Sequence, residues 1–222
     1  MKTLSNVLAT GAVAAALSFT GIAQAATISG GSFSFPRQVT DIDQTGSLNK
    51  FDTGLGTLTQ VSLTVTGEYL QSFTANNSSA QTQNARVISA IDLIYSIVGG
   101  PALSSDTLTF SANTGFLSYA PGETKSFGPF AANDFINVTF TAPADLAFFS
   151  GLGTFDVNCF SASGTTITGG GGNINTTQDT TAACGASVEY TYTAAPVGTP
   201  EPTMVLGLLA VGGAGAFARR KG

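Results

Sequence analysis

"QVSLTVTGEY", residues 60–69, decides the fold. Val61, Leu63 and Val65 alternate with Ser62, Thr64 and Thr66. A period of two sends apolar side chains to one face and hydroxyls to the other, which is a strand with a dry side and a wet side. Further along, "RVISAIDLIYSIVGGP" (86–101) is apolar on both faces and stops at Gly99-Gly100-Pro101. A helix over residues 87–98 is the rival reading, but the β-branched content and the abrupt Gly-Gly-Pro ending favour a central strand. "DTLTF" (106–110) and "FINVTFTAP" (135–143) read as further strands, with "APGET" (120–124) as a turn between them.

The last third reads as one long hairpin. "GTFDVNCFSASGTTITGG" (153–170) runs into "GGNINTTQDTTAACGASVEYTYT" (171–193) through Gly169–Gly172. Phe155, Val157, Cys159 and Ile167 share a face on the first arm; Cys184, Ala186, Val188, Tyr190 and Tyr192 share one on the second. A turn at the four glycines brings Cys159 and Cys184 near each other on the inner face, with one bulge or a longer loop. In an oxidising compartment the pair predicts a structural disulfide. Two buried thiols or a soft metal site are the alternatives, but two cysteines without histidine are too few ligands for zinc, and no Cys-x-x-Cys spacing points to redox catalysis.

Both ends carry targeting patterns. Lys2, the apolar "VLATGAVAAALSF" and Ala23-Gln24-Ala25 form a secretory signal peptide over residues 1–25, cleaved after Ala25. At the other end, residues 204–218 form an apolar run of 15 residues containing four glycines, followed by Arg219, Arg220 and Lys221. As a helix the run rises about 22 Å, short of the roughly 30 Å hydrocarbon core. Basic residues after it stay on the cytoplasmic side. A short C-terminal hydrophobic helix, a transmembrane segment only transiently inserted, is therefore expected outside the folded domain.

Pro200-Glu201-Pro202, the apolar run and the terminal arginines Arg219 and Arg220 together resemble a PEP-CTERM sorting signal. That resemblance implies a bacterium that makes exopolysaccharide, processing by an exosortase-type membrane peptidase, and a cell-surface or extracellular-matrix destination. Residues 26–196 then form one domain and residues 197–222 the sorting signal. "LNKFDTGLGTLTQVSLTVTGEY" (48–69) and "SASGTTITGGGGNINTTQDTTAACGASVEYTYTAAP" (161–196) resemble the opening and close of a choice-of-anchor E domain, a β-rich exported domain. No catalytic residues follow from that resemblance.

Composition agrees with an all-β antiparallel sandwich. The domain has no His, Met or Trp, and is dominated by Thr, Ser, Gly, Asn and Val, which suit pleated surfaces better than helices. Four basic and twelve acidic side chains give it a formal charge of −8. That argues against nucleic acid and anionic lipid, which need clustered Lys and Arg.

"DIDQTGSLNKFD" (41–52) places Asp41, Asp43, Thr45, Ser47, Asn49 and Asp52 at calcium-loop spacing, with Gly46 at the turn position. Pro36, Gly54 and Gly56 stand where flanking helices would be needed, so a polar turn is the preferred reading and no cofactor is expected. Without histidine no Ser-His-Asp triad or Cys-His pair forms. Glu68, Glu123 and Glu189 are not brought together by any pattern, and "GGGGN" lacks the Lys-Ser/Thr of a phosphate loop. An enzyme is not expected. The sequence reads as an exported surface or matrix protein of structural or adhesive type. The alternative is a glycan- or calcium-binding module in which Tyr190 and Tyr192 stack on sugars or the aspartates hold the ion; the phase of the tyrosines with Val188 favours the core.

Overall fold

The computed structural model describes residues 24–195. The signal-peptide stretch before Gln24, the sorting residues Pro200, Glu201, Pro202, Arg219 and Arg220, and the expected C-terminal helix lie outside the described residues. Among the described residues no helix is long and apolar enough to cross a membrane.

The chain forms β1 (Ala25–Ser34), β2 (Gln38–Val39), β3 (Asp43–Asn49), β4 (Gly56–Asn77), β5 (Gln83–Ile97), β6 (Thr107–Tyr119), β7 (Thr124–Phe140), α1 (Pro143–Phe149), β8 (Thr154–Gly169) and β9 (Ile174–Ala194). One sheet has the order β1-β9-β4-β7, with β2 also on β9; the other has the order β3-β8-β5-β6. All strand pairs are antiparallel. The all-β sandwich expected from composition and alternation is what forms. Its connectivity is narrower than that expectation. From β2 onward every connection except β5–β6 crosses between the sheets; with the two-residue β2 set aside, the other eight strands have the double-sheet arrangement of a jelly roll.

The rival helix over residues 87–98 does not form; β5 is an interior strand paired with β6 and β8. A helix that sequence periodicity missed does form. α1 starts with Pro143 at its first turn, where a missing N–H costs nothing. It buries Phe149 against Phe140, Phe148 and Phe155.

The expected β8–β9 hairpin is corrected. β8 pairs with β3 and β5, while β9 pairs with β1, β2 and β4, so the two arms face each other across the core. Each arm has one apolar face, and stacking the sheets buries both faces while leaving each arm's edges free for other partners. Gly169, Gly170, Gly171 and Gly172 all have positive φ, 89°, 71°, 57° and 79°, and carry the chain over the gap in conformations other residues resist. "APGET" likewise joins β6 to β7 in the opposite sheet. The cysteine pairing survives the correction: Cys159 of β8 and Cys184 of β9 form a disulfide, Cα atoms 6.4 Å apart, which staples one sheet to the other.

The interior has two apolar clusters. The larger contains Val61, Leu63, Val65, Ile91, Leu93, Val157 and Val188; the smaller contains Phe73, Val87, Tyr119 and Ile174. Between them lies a polar belt. Gln71 Nε2 donates to Ser89 Oγ (2.8 Å) and Thr180 Oγ1 (3.0 Å), and Ser89 and Thr165 hydroxyls donate to Gln178 Oε1 at 2.8 and 3.0 Å. Two buried tyrosines also tie sheet to sheet, Tyr95 OH donating to Thr66 O at 2.7 Å and Tyr190 OH to Asn49 O at 2.6 Å.

Two predictions follow from this interior. Replacing both cysteines by alanine removes a 25-residue closure and should lower unfolding free energy by roughly 3 kcal/mol on the chain-entropy model. Urea denaturation checks this, and added reductant should not destabilise the double variant further. The second concerns pH. Burial pushes the hydroxyls of Tyr95 and Tyr190 far above their ordinary value, and raises those of Tyr69 and Tyr119. The unfolded chain then releases phenolic protons above about pH 10 that the native chain holds, so stability falls as pH rises through that range. With no histidine in the chain, denaturation midpoints should stay level from about pH 6 to pH 9.

Candidate functional site

The aspartates of the calcium-like stretch do not form a loop. Residues 43–49 are strand β3, with Asp43, Thr45, Ser47 and Asn49 on its exposed face and Gln44, Gly46 and Leu48 buried. Neither the calcium loop nor the polar turn describes it, because alternate positions pack into the core. Asn158 Nδ2 donates to Asp43 Oδ1 at 2.6 Å and to Thr45 Oγ1 at 3.1 Å, and Ser47 Oγ donates to Asp156 Oδ1 at 2.6 Å. Asp41 sits before the strand with φ 74°. Asp52 lies beyond its end, where its Oδ1 accepts from Gly54 N at 2.8 Å and caps a short 3-10 turn. Asp43 and Asp52 are thus held apart by a strand that extends roughly 20 Å. Among the described residues no group of three or more His, Cys, Asp or Glu is placed to hold a metal ion.

Tyr190 is 1 % exposed, and its ring packs edge-on against Phe51. Tyr192 is half-buried beside the same phenylalanine. Tyr190 offers no open ring face. The three glutamates are scattered. Glu123 pairs with Lys125 at 2.9 Å in the β6–β7 connection, and this ion pair, with a backbone N–H from Ala120, holds its carboxyl below the usual carboxylate range. Glu68 and Glu189 share the outer face of the β1-β9-β4-β7 sheet, but Glu189 lies opposite Ser62, six residues from Glu68 along β4. That is about 20 Å, against the roughly 5–9.5 Å of a glycosidase pair.

The outer face of that same sheet is the richest surface. Outward positions of β4 are Ser62, Thr64, Thr66, Glu68, the half-buried Leu70, Ser72 and Thr74, flanked on β7 by Thr139, Asn137, Phe135, Asn133, Ala131 and Ser126. On β9 their neighbours are Glu189, Ser187, Gly185, Ala183, Thr181, Asp179 and Thr177. Three shallow hollows follow β4. One of about 290 Å³ lies at Ser62, Thr64, Asn137 and Glu189. A second, about 320 Å³, lies at Arg37, Glu68 and Asn133, and a third, about 340 Å³, at Ser72, Thr74, Thr177 and Asp179. Ser62 Oγ donates to Asn137 Oδ1 at 2.9 Å within the first.

One residue here escaped the sequence reading. Phe135 is 64 % exposed and stands in the polar row between Asn133 and Asn137. Its signal was the phase of "FINVTF": Ile136, Val138 and Phe140 point inward, which sends Phe135 out with Asn137 and Thr139.

Residues 199–221 match the family model of the PEP-CTERM protein-sorting motif. No curated protein matches the chain. Among solved structures, an infectious bursal disease virus Gx strain structure is 10% identical, with a TM-score of 0.20, over 78% of this chain and 37% of that one. The VP2 subviral particle of the same virus is 12% identical, with a TM-score of 0.22, over 85% of this chain and 49% of that one. The chain spans less than half of either, and at such TM-scores the likeness is no guide to function. The sorting motif makes this an exported, cell-surface-directed protein processed by exosortase.

Proposed function

We propose that the mature protein is a structural or adhesive component of the cell surface or extracellular matrix, acting by display rather than by catalysis. The observation that carries this reading is the sorting motif at residues 199–221, attached to a sandwich stapled by Cys159–Cys184. The outer faces support it, since there Ser, Thr and Asn side chains meet water and a hydrated exopolysaccharide is the natural neighbour. In this reading the C-terminal segment holds the chain briefly in the inner membrane until exosortase cuts it. The calcium alternative finds no favouring observation: among the described residues no three acidic side chains converge where an ion could sit.

Intact-mass measurement of the exported form tests the proposal. The expected mass lacks residues 1–25 and the sorting tail, and is lighter by the two hydrogens lost to the disulfide. A cytosolic product with both termini uncut and both thiols reduced would remove the proposal. Calcium at millimolar concentration should leave the thermal midpoint unchanged; a rise would restore the ion-binding alternative.

A further inference from the structure

The geometry points to a binding track for an uncharged, hydroxyl-rich polysaccharide along the outer face of β4, with Phe135 as its stacking platform. The inference rests on the matrix reading only for why such a polymer is nearby.

The three hollows centre on Ser62–Thr64, Glu68 and Ser72–Thr74. These centres are five residues apart along one strand, about 17 Å at strand rise. Three hollows in line, the third with Phe73 and Phe127 in its floor, suit an extended polymer with both hydroxyl and apolar faces better than one small molecule. Phe135 stands between the first two, since Asn137 lines the first and Asn133 the second.

Sugars present apolar C–H faces and hydroxyl edges. An exposed phenyl ring gives the first an apolar partner. Carboxylate, amide and guanidinium groups give the second paired acceptors and donors. Among the described residues the one ion pair is Lys125–Glu123, so Arg37 and Glu68 enter their hollow without a charged protein partner.

Other occupants fit less well. A peptide strand would need free backbone N–H and C=O groups, but β4 is paired on both edges with β7 and β9. An acidic polymer would meet Glu68, Glu189 and Asp179 along the track and only Arg37 in return, on a domain of formal charge −8.

Affinity electrophoresis of the isolated exported protein tests this, in native gels containing hydroxyethylcellulose, dextran or alginate. Retardation is expected with at least one of the two neutral polymers and not with alginate. F135A should weaken that retardation about tenfold, the loss of one anchoring contact, and F135Y should restore it. F116A removes a ring that is 63 % exposed on the other sheet and should change nothing. All three substitutions lie at exposed rings, so thermal midpoints should match and separate binding from folding. Unretarded migration in both neutral gels, retardation by alginate alone, equal retardation in every gel from self-association, or an F135A protein that binds normally would each overturn the inference. A correctly processed protein that fails these gels would sink the track and leave the matrix reading standing.

Discussion

Strand β4 is hydrogen-bonded along both edges, to β9 from Gly56 to Asn77 and to β7 from Val61 to Asn76. With its backbone committed, its side chains alone decide what the two faces do. Inward go Val61, Leu63, Val65, Tyr69 and Phe73, each worth about 1.5–3 kcal/mol when fully removed from water. A slip of one residue would exchange that set for Ser62, Thr64, Thr66 and Glu68, so the register is strongly determined. Gly67 refines the fit. A Cβ there would lie 2.6 Å from Leu93 Cδ1 and 3.0 Å from Leu108 Cδ1, so its absence lets the opposite sheet close in. That approach is what allows Tyr95 to reach Thr66 O.

Strand identity was legible because alternation is a local property. β4 and the inward phase of Cys184, Ala186, Val188 and Tyr190 follow from spacing, and β5 from its β-branched content and its Gly-Gly-Pro ending. Which strands pair is not local. Glycines 169–172 look the same to the sequence whether they return the chain beside itself or lift it into a facing sheet, and only competition among all strands for edges decides. The disulfide was found despite the wrong pairing, because both geometries put Cys159 and Cys184 on buried faces. β3 misled for a related reason. Its oxygen-bearing residues recur every second position, which is the spacing of a calcium loop and also of one face of a strand. The buried Gln44 between them was the unread clue. Phe135 was hidden because an aromatic residue in an apolar run is ordinarily counted as core.

The polar belt shows that burial here selects more than apolarity. Gln71 and Thr180 come from one sheet and Ser89 and Thr165 from the other, so their hydrogen bonds specify how the sheets slide against each other. Apolar contacts above and below tolerate small shifts; a buried amide that loses its partner costs about 1–3 kcal/mol. Belt and disulfide therefore act at different points. The disulfide limits how far β8 and β9 can separate, while the belt fixes the alignment within that limit.

A cell-surface-directed β protein exposes sheet and must avoid joining its neighbours' sheets. Open edges are the hazard, since unpaired backbone groups template further strands. Here β7, an edge strand, carries Pro129, which has no N–H to offer, and the acid Asp134. Bulges at Ser29/Gly31, Gln71/Phe73 and Arg86/Ile88 interrupt regular pairing beside the edge strands β1, β7 and β6. The net negative charge adds repulsion between copies. With edges blunted in this way, the surface left for specific contact is the side-chain chemistry of the sheet faces. On the β4 face that chemistry is hydroxyl, amide, carboxylate and one exposed ring.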